Sequence, residues 1–175
     1  MKHLSRLAIL PLLFLFSCGS SNSKEKKDLK AMQSESTVAK QINYLSMKID
    51  GQLWEADNNI FGVFHPNGHN KAIMIAGSKG PKNKEEQPFN INLYNASGPG
   101  VFAIKDGNTD NNVVQLANMS PQDYMYGSMM GFNMKVTVTK ASGNPTIIEA
   151  TFEGELTGNA GGKLKITEGK FYYHE

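Results

Sequence analysis

The chain has 175 residues, 18 of them basic and 16 acidic, with a formal net charge of +2 and a single cysteine. One cysteine excludes a disulfide within the chain. Arg6 is the only arginine, so the rest of the chain lacks the planar fork favoured for phosphate and base-edge recognition, and nucleic acid is not an expected partner.

The first elements in chain order are targeting signals. Lys2 and Arg6 precede an apolar run from Leu7 to Phe16, and the small Ser17 stands before Cys18, the three-part anatomy of an export signal. Crossing ~30 Å of hydrocarbon takes about twenty helical residues, so this run is too short to stay as a membrane span. Leu15-Phe16-Ser17-Cys18 resembles the lipobox of bacterial lipoproteins. The resemblance implies that residues 1–17 are a removed signal and that Cys18 carries lipid. Each buried methylene contributes ~0.8 kcal/mol, so two or three acyl chains make such an attachment effectively permanent. The expected partner is thus a membrane, reached through the N-terminal lipid. Gly19 in place of an aspartate, with no acidic run after it, favours an outer membrane facing the periplasm over the cell surface. Without Lys2 and Arg6 the basic residues equal the 16 acidic ones, so the mature chain is formally neutral.

Residues 18–43 are polar, passing from Ser20-Ser21-Asn22-Ser23 into Lys24-Glu25-Lys26-Lys27-Asp28, and read as a tether. A flexible chain of this length reaches ~25 to 30 Å.

From 44 to 175 one domain is expected, with period-two alternation as its dominant pattern. Short strands are predicted at 45–49, 52–56, 60–64, 72–76 and 101–104. Asp50-Gly51 marks a two-residue hairpin between the first two, and Trp54, opposite Leu53 in its strand, is the expected plug for one end of the core. His65 and His69 flank Pro66-Asn67-Gly68. They supply two imidazoles, and a zinc site would need further ligands such as Asp57, Glu85 or His174. Phe89, Ile91 and Leu93 alternate with Asn90 and Asn92, the pattern of a half-buried strand.

Asp106-Gly107-Asn108-Thr109-Asp110-Asn111-Asn112 sets oxygen-bearing side chains at alternate positions, so Asp106, Asn108, Asp110 and Asn112 are candidate calcium ligands. An EF-hand would have glycine sixth and glutamate twelfth, where this chain has Asn111 and Ala117, and a solvated loop is the plainer reading. Ser120-Pro121-Gln122-Asp123 has the chemistry of a helix start, with Ser120 as cap and Asp123 near the positive end, predicting one short helix near 121–126. Met119, Tyr124, Met125, Tyr126, Met129 and Met130 form a soft apolar region. It packs over the core or offers a patch to an envelope protein.

The two clearest strands follow. Phe132, Met134, Val136 and Val138 alternate with Asn133, Lys135, Thr137 and Thr139; Ile148, Ala150, Phe152 and Leu156 alternate with Glu149, Thr151, Glu153 and Glu155. Ser142-Gly143-Asn144-Pro145 separates them, and Glu168-Gly169 is predicted as a hairpin loop between strands 164–167 and 170–173. The sum is an all-β, antiparallel β-sandwich or partly open barrel of about eight to ten short strands.

Met47-Lys48-Ile49-Asp50-Gly51-Gln52-Leu53-Trp54-Glu55-Ala56, together with Thr151-Phe152-Glu153-Gly154 and Gly161-Gly162-Lys163-Leu164-Lys165-Ile166-Thr167-Glu168-Gly169-Lys170-Phe171, is similar to the start and close of uncharacterised small β-sandwich lipoproteins of Bacteroidota. Ala150 stands where those families have a glycine. The resemblance covers the two ends of the domain and implies fold and anchoring without an activity.

No Gly-x-Ser-x-Gly elbow or phosphate-binding glycine loop is present, and Glu153 with Glu155 reads as solvating charge on one strand face. The sequence therefore predicts no enzyme and no cofactor beyond the calcium candidate. The expected function is an envelope-anchored binding or interaction module. The alternatives are calcium or carbohydrate binding through loop 106–112, and toxin immunity or inhibition.

Overall fold

The computed structural model describes residues 42–105, 107 and 111–175. Cys18, the tether before residue 42, and Asp106, Asn108 and Asp110 of the candidate calcium loop lie outside the described residues. The described part is a sandwich of two antiparallel sheets.

The strands are β1 (Tyr44–Ile49), β2 (Gln52–Glu55), β3 (Asn58–His65), β4 (Ala72–Lys79), β5 (Gln87–Tyr94), β6 (Gly100–Lys105), β7 (Val113–Ala117), β8 (Met125–Gly127), β9 (Phe132–Ser142), β10 (Ile147–Thr157) and β11 (Lys163–His174). A six-stranded sheet has the order β2-β1-β11-β10-β9-β6, and a five-stranded sheet the order β3-β4-β5-β7-β8. Asp50 and Gly51 both take positive φ, 48° and 82°, closing β1 onto β2 as the two-residue turn expected of that pair.

Alternation decides which face of each strand turns inward. Met134, Val136 and Val138 of β9, Ile148 and Phe152 of β10, and Ile166 and Phe171 of β11 are buried from one sheet; Ile73, Ile75, Phe89, Ile91, Leu93, Val114 and Leu116 meet them from the other. Rings run across this interface. Trp54 lies edge-on to Phe89 at 6.1 Å between centroids, and Phe89 stacks on Phe152 at 5.4 Å. Trp54 is the end plug its alternation predicts, and its Nε1 donates to Gln87 Oε1 at 3.0 Å. Burying side chains of this size contributes roughly 1.5–3 kcal/mol each.

The structure departs from the sequence reading in three places. First, Glu168-Gly169 is not a hairpin loop: β11 continues through it as a bulge, with Thr167 opposite Lys48 and Lys170 opposite Ser46. The positive φ of Glu168, 54°, absorbs the extra residue, and Gly169 leaves the space that the Phe152 ring occupies. Second, residues 121–126 are not helical. They lead into β8, and the only helical turn among the described residues is a 3₁₀ turn at Ser128–Met130. Third, Val113–Ala117 forms β7, a strand of the five-stranded sheet that the reading passed over.

The absent helix has a tertiary cause. Ser120 Oγ does accept the Asp123 N–H at 2.9 Å, as a cap would. The Asp123 carboxylate, only 9% exposed, is drawn instead to the turn after β10, where its Oδ1 accepts the Ala160 N–H at 2.6 Å. Asn159 completes the joint: its Oδ1 accepts the Met125 N–H at 2.9 Å, its N–H donates to Met125 O at 2.9 Å, and its Nδ2 donates to Gln122 O at 3.1 Å. Gly158 and Gly162 lie so close to the Asp123 carboxylate that a Cβ on either would collide with it. The segment thus pins one sheet to the other.

Candidate functional site

Backbone pairing places the outward side chains of the five-stranded sheet in rows. One row across the strands is Phe61, Ala76, Asn90 and Gln115; the next is Val63, Met74, Asn92 and Val113; the third is His65, Ala72 and Tyr94. Ala117 and Met125 extend the face toward its β8 edge. Phe61 is 43% exposed and Tyr94 41%, and between them most outward positions are half-buried by their neighbours.

None of these outward positions carries Asp, Glu, Lys or Arg. Across all five strands the one charged residue is Lys79, at the end of β4. The polar groups at the centre are amides. Asn90 Nδ2 donates to Gln115 Oε1 at 3.2 Å, and Asn90 Oδ1 has no partner among the described residues.

The outer face of the six-stranded sheet is built the opposite way. Each of its strands has at least one charged residue: Lys48, Glu55, Lys165, Glu153, Lys135 and Lys105 are examples. A shallow hollow of about 240 Å³ lies there among Lys135, Thr137, Thr151, Glu153, Glu168 and Lys170. Some of the charges neutralise one another. Lys48 Nζ meets Glu168 Oε1 at 2.7 Å and Lys163 Nζ meets Glu155 Oε1 at 2.6 Å, both pairs on exposed side chains. With Lys135, Lys170, Glu153 and Glu168 in its walls the hollow carries both signs of charge, as does a neighbouring one of about 450 Å³ beside Glu153, Glu155 and Lys165, so neither favours a particular ligand charge. The uncharged face is the more distinctive surface.

Of the residues singled out from sequence, Asn112 is buried, and its Oδ1 accepts the Tyr94 N–H at 2.6 Å, tying the entry of β7 to the end of β5. The methionine-rich region divides. Tyr124 and Met129 are exposed, by 57% and 87%, and Met130 is at the surface with them. Met119 packs against the core, Met125 is half-buried in β8, and Tyr126, 5% exposed, belongs to the core rather than to a surface patch. Strand alternation explains the correction, because Tyr126 is paired with inward-facing Leu116. Burial raises the Tyr126 phenol above its ordinary pKa, and its hydrogen bond to the Asp123 carboxylate raises it further, since the neutral phenol is the donor.

His65 and His69 sit exposed around the β3–β4 loop, and among the described residues no cluster of three or more His, Cys, Asp or Glu is placed to hold a metal. Asp57, a conceivable third ligand, is already committed. It accepts from Asn58 Nδ2 at 2.7 Å and from the Gly80 N–H at 3.1 Å, and these bonds hold its carboxyl below the usual range. The sequence reading missed the uncharged face because it exists only after four non-contiguous strands align; the loops between them hold Lys71, Lys82, Lys84, Glu85 and Glu86, which disguise it in a running composition.

Comparison with protein families, with curated proteins and with solved structures returns no match.

Proposed function

We propose that this chain is a lipid-anchored envelope module that binds a partner through the uncharged outer face of its five-stranded sheet. The carrying observation is the absence of charge from every outward position of that face, beside exposed Phe61 and Tyr94. An uncharged stretch of surface that shows apolar rings marks an interaction site more often than an arbitrary piece of exterior. The lipobox at Cys18 and the polar tether support its address at a membrane, and the similarity to small Bacteroidota lipoproteins supports the same address.

Two measurements test the two halves of this reading. Membrane fractionation of Cys18→Ala should move the protein from the membrane to the soluble fraction; unchanged membrane association and normal processing would remove the anchor. For binding, a photo-reactive residue at position 74 on the uncharged face should give a cross-linked product in intact cells, while one at position 135 on the charged face should give none. Equal or absent cross-linking at both positions rejects the assignment of the face.

A further inference from the structure

Building on the proposal that this face binds, we infer that its ligand is a neutral, hydroxyl-rich polymer, chemically an uncharged polysaccharide. The face offers two kinds of contact. Asn90, Asn92 and Gln115 occupy neighbouring register positions on β5 and β7. A primary amide both donates and accepts, as a sugar hydroxyl does, so either can serve the other in alternate orientations.

Phe61 and Tyr94 stand two strands apart and two rows apart, with Met74 midway between them and Asn90 and Asn92 along the strand that carries Tyr94. With strands ~4.8 Å apart and a rise of ~3.3 Å per residue, their Cα atoms are separated by roughly 16 Å. Two exposed rings at that spacing can each cover the apolar C–H face of a sugar ring, with the amides of Asn90, Asn92 and Gln115 alongside on β5 and β7 to read hydroxyls. A single small molecule would not span both.

Charge selects the class. An anionic polymer would need cations along its path, and the only charged residue in these strands is Lys79, at the end of β4. A protein partner that brought a charge onto the centre of the face would leave it desolvated and unpaired. An uncharged polyol loses little by being placed there.

The test is native affinity electrophoresis of the full-length lipidated protein in mild non-ionic detergent, through gels containing mannan, xylan, dextran or mixed-linkage β-glucan, with alginate and polygalacturonate as charged counterparts. At least one neutral polymer should retard the protein, and high salt should leave the retardation in place. Phe61→Ala and Tyr94→Ala remove exposed rings and should each weaken retardation about tenfold, with circular dichroism unchanged. Lys135→Met on the other face should change nothing. The inference is overturned if no neutral polymer retards the protein, if alginate retards it as strongly, if the ring variants bind like the parent, or if sedimentation shows a dimer that Met74→Lys dissolves. Should these gels fail while cross-linking at position 74 persists, the binding face stands and only the ligand class falls.

Discussion

The two outer faces of the sandwich are made by the same alternation and have opposite chemistry. On the six-stranded sheet the outward positions are mostly lysine, glutamate and threonine, with exposed Leu53 and Val101 confined to its two edge strands, and cross-strand neighbours such as Lys135 and Glu153 stand opposite one another. That pattern keeps a face wet and discourages edge or face association. The five-stranded sheet has Phe61, Val63, Met74, Tyr94 and Val113 at the corresponding positions, with amides in place of charges. Nothing in strand formation requires this, since the inward residues already fill the core. The difference shows that surface chemistry is set face by face, and that an uncharged sheet face is the departure needing a functional reason.

The comparison is meaningful only while the two sheets stay joined, so the largest effect is expected at the pin between them. Asp123→Ala leaves the Ala160 N–H and the Tyr126 hydroxyl without their acceptor, and should destabilise the domain by roughly 2–4 kcal/mol in chemical denaturation. A loss below about 1 kcal/mol would show that the core alone holds the sheets together.

The next effect is a pH dependence. The folded Tyr126 phenol has a pKa above its ordinary 10.0, so its contribution to stability is complete below that value and is lost as pH rises through the folded pKa. Tyr126→Phe should lower stability by a constant amount at pH 7 to 9 and flatten the alkaline limb of a stability-against-pH curve above about pH 10. An unaltered alkaline limb would place the titration on another tyrosine.

A smaller effect contrasts the faces directly. Met74→Lys puts a charge at the centre of the uncharged face, where Met74 is half-buried between Val63 and Asn92. Stability should change by no more than about 1 kcal/mol, because the lysine stem covers neighbours while its ammonium reaches water. The concentration at which ammonium sulfate precipitates the protein should rise. Lys135→Met on the charged face should lower it, and equal responses would erase the distinction between the faces.

The smallest effect is expected at the exposed ion pairs. Glu155→Gln, which breaks the contact with Lys163, should change the melting free energy by less than about 1 kcal/mol. A larger loss would mean that the charged face is structural rather than solvating.

Much of the fold is legible in the sequence because its strongest signals are local. Phe132 to Val138, Ile148 to Phe152 and Phe89 to Leu93 alternate cleanly, and the burial of those strands follows the alternation. Asp50-Gly51 fixes a turn through two backbone angles. Glu168-Gly169 shows the limit of the same logic, because a positive φ serves a bulge as well as a turn. Only the continuation of pairing from Thr167 to Lys170 against β1 separates the two. The Ser120 cap is likewise legible as chemistry and not as architecture: its bond to the Asp123 N–H forms, while the Asp123 carboxylate answers to Ala160, 37 residues away. Of the candidate site, Phe61, Asn90 and Tyr94 are visible as letters. Their alignment on one face depends on register, which a strand's own sequence does not specify.

The two ends of the domain clasp each other. Asn43 Nδ2 donates to His174 O at 3.2 Å while its Oδ1 accepts the His174 N–H at 2.8 Å, and β1, which follows, is hydrogen-bonded on one edge to β2 and on the other to β11. A linker of a few residues between 174 and 43 would therefore close the backbone into a ring with little rearrangement, and new termini opened at the exposed Asn67-Gly68 loop should yield a circular permutant with the same sheets. For the same reason, a reporter fused after Glu175 would emerge beside Asn43, just before the first strand of the domain.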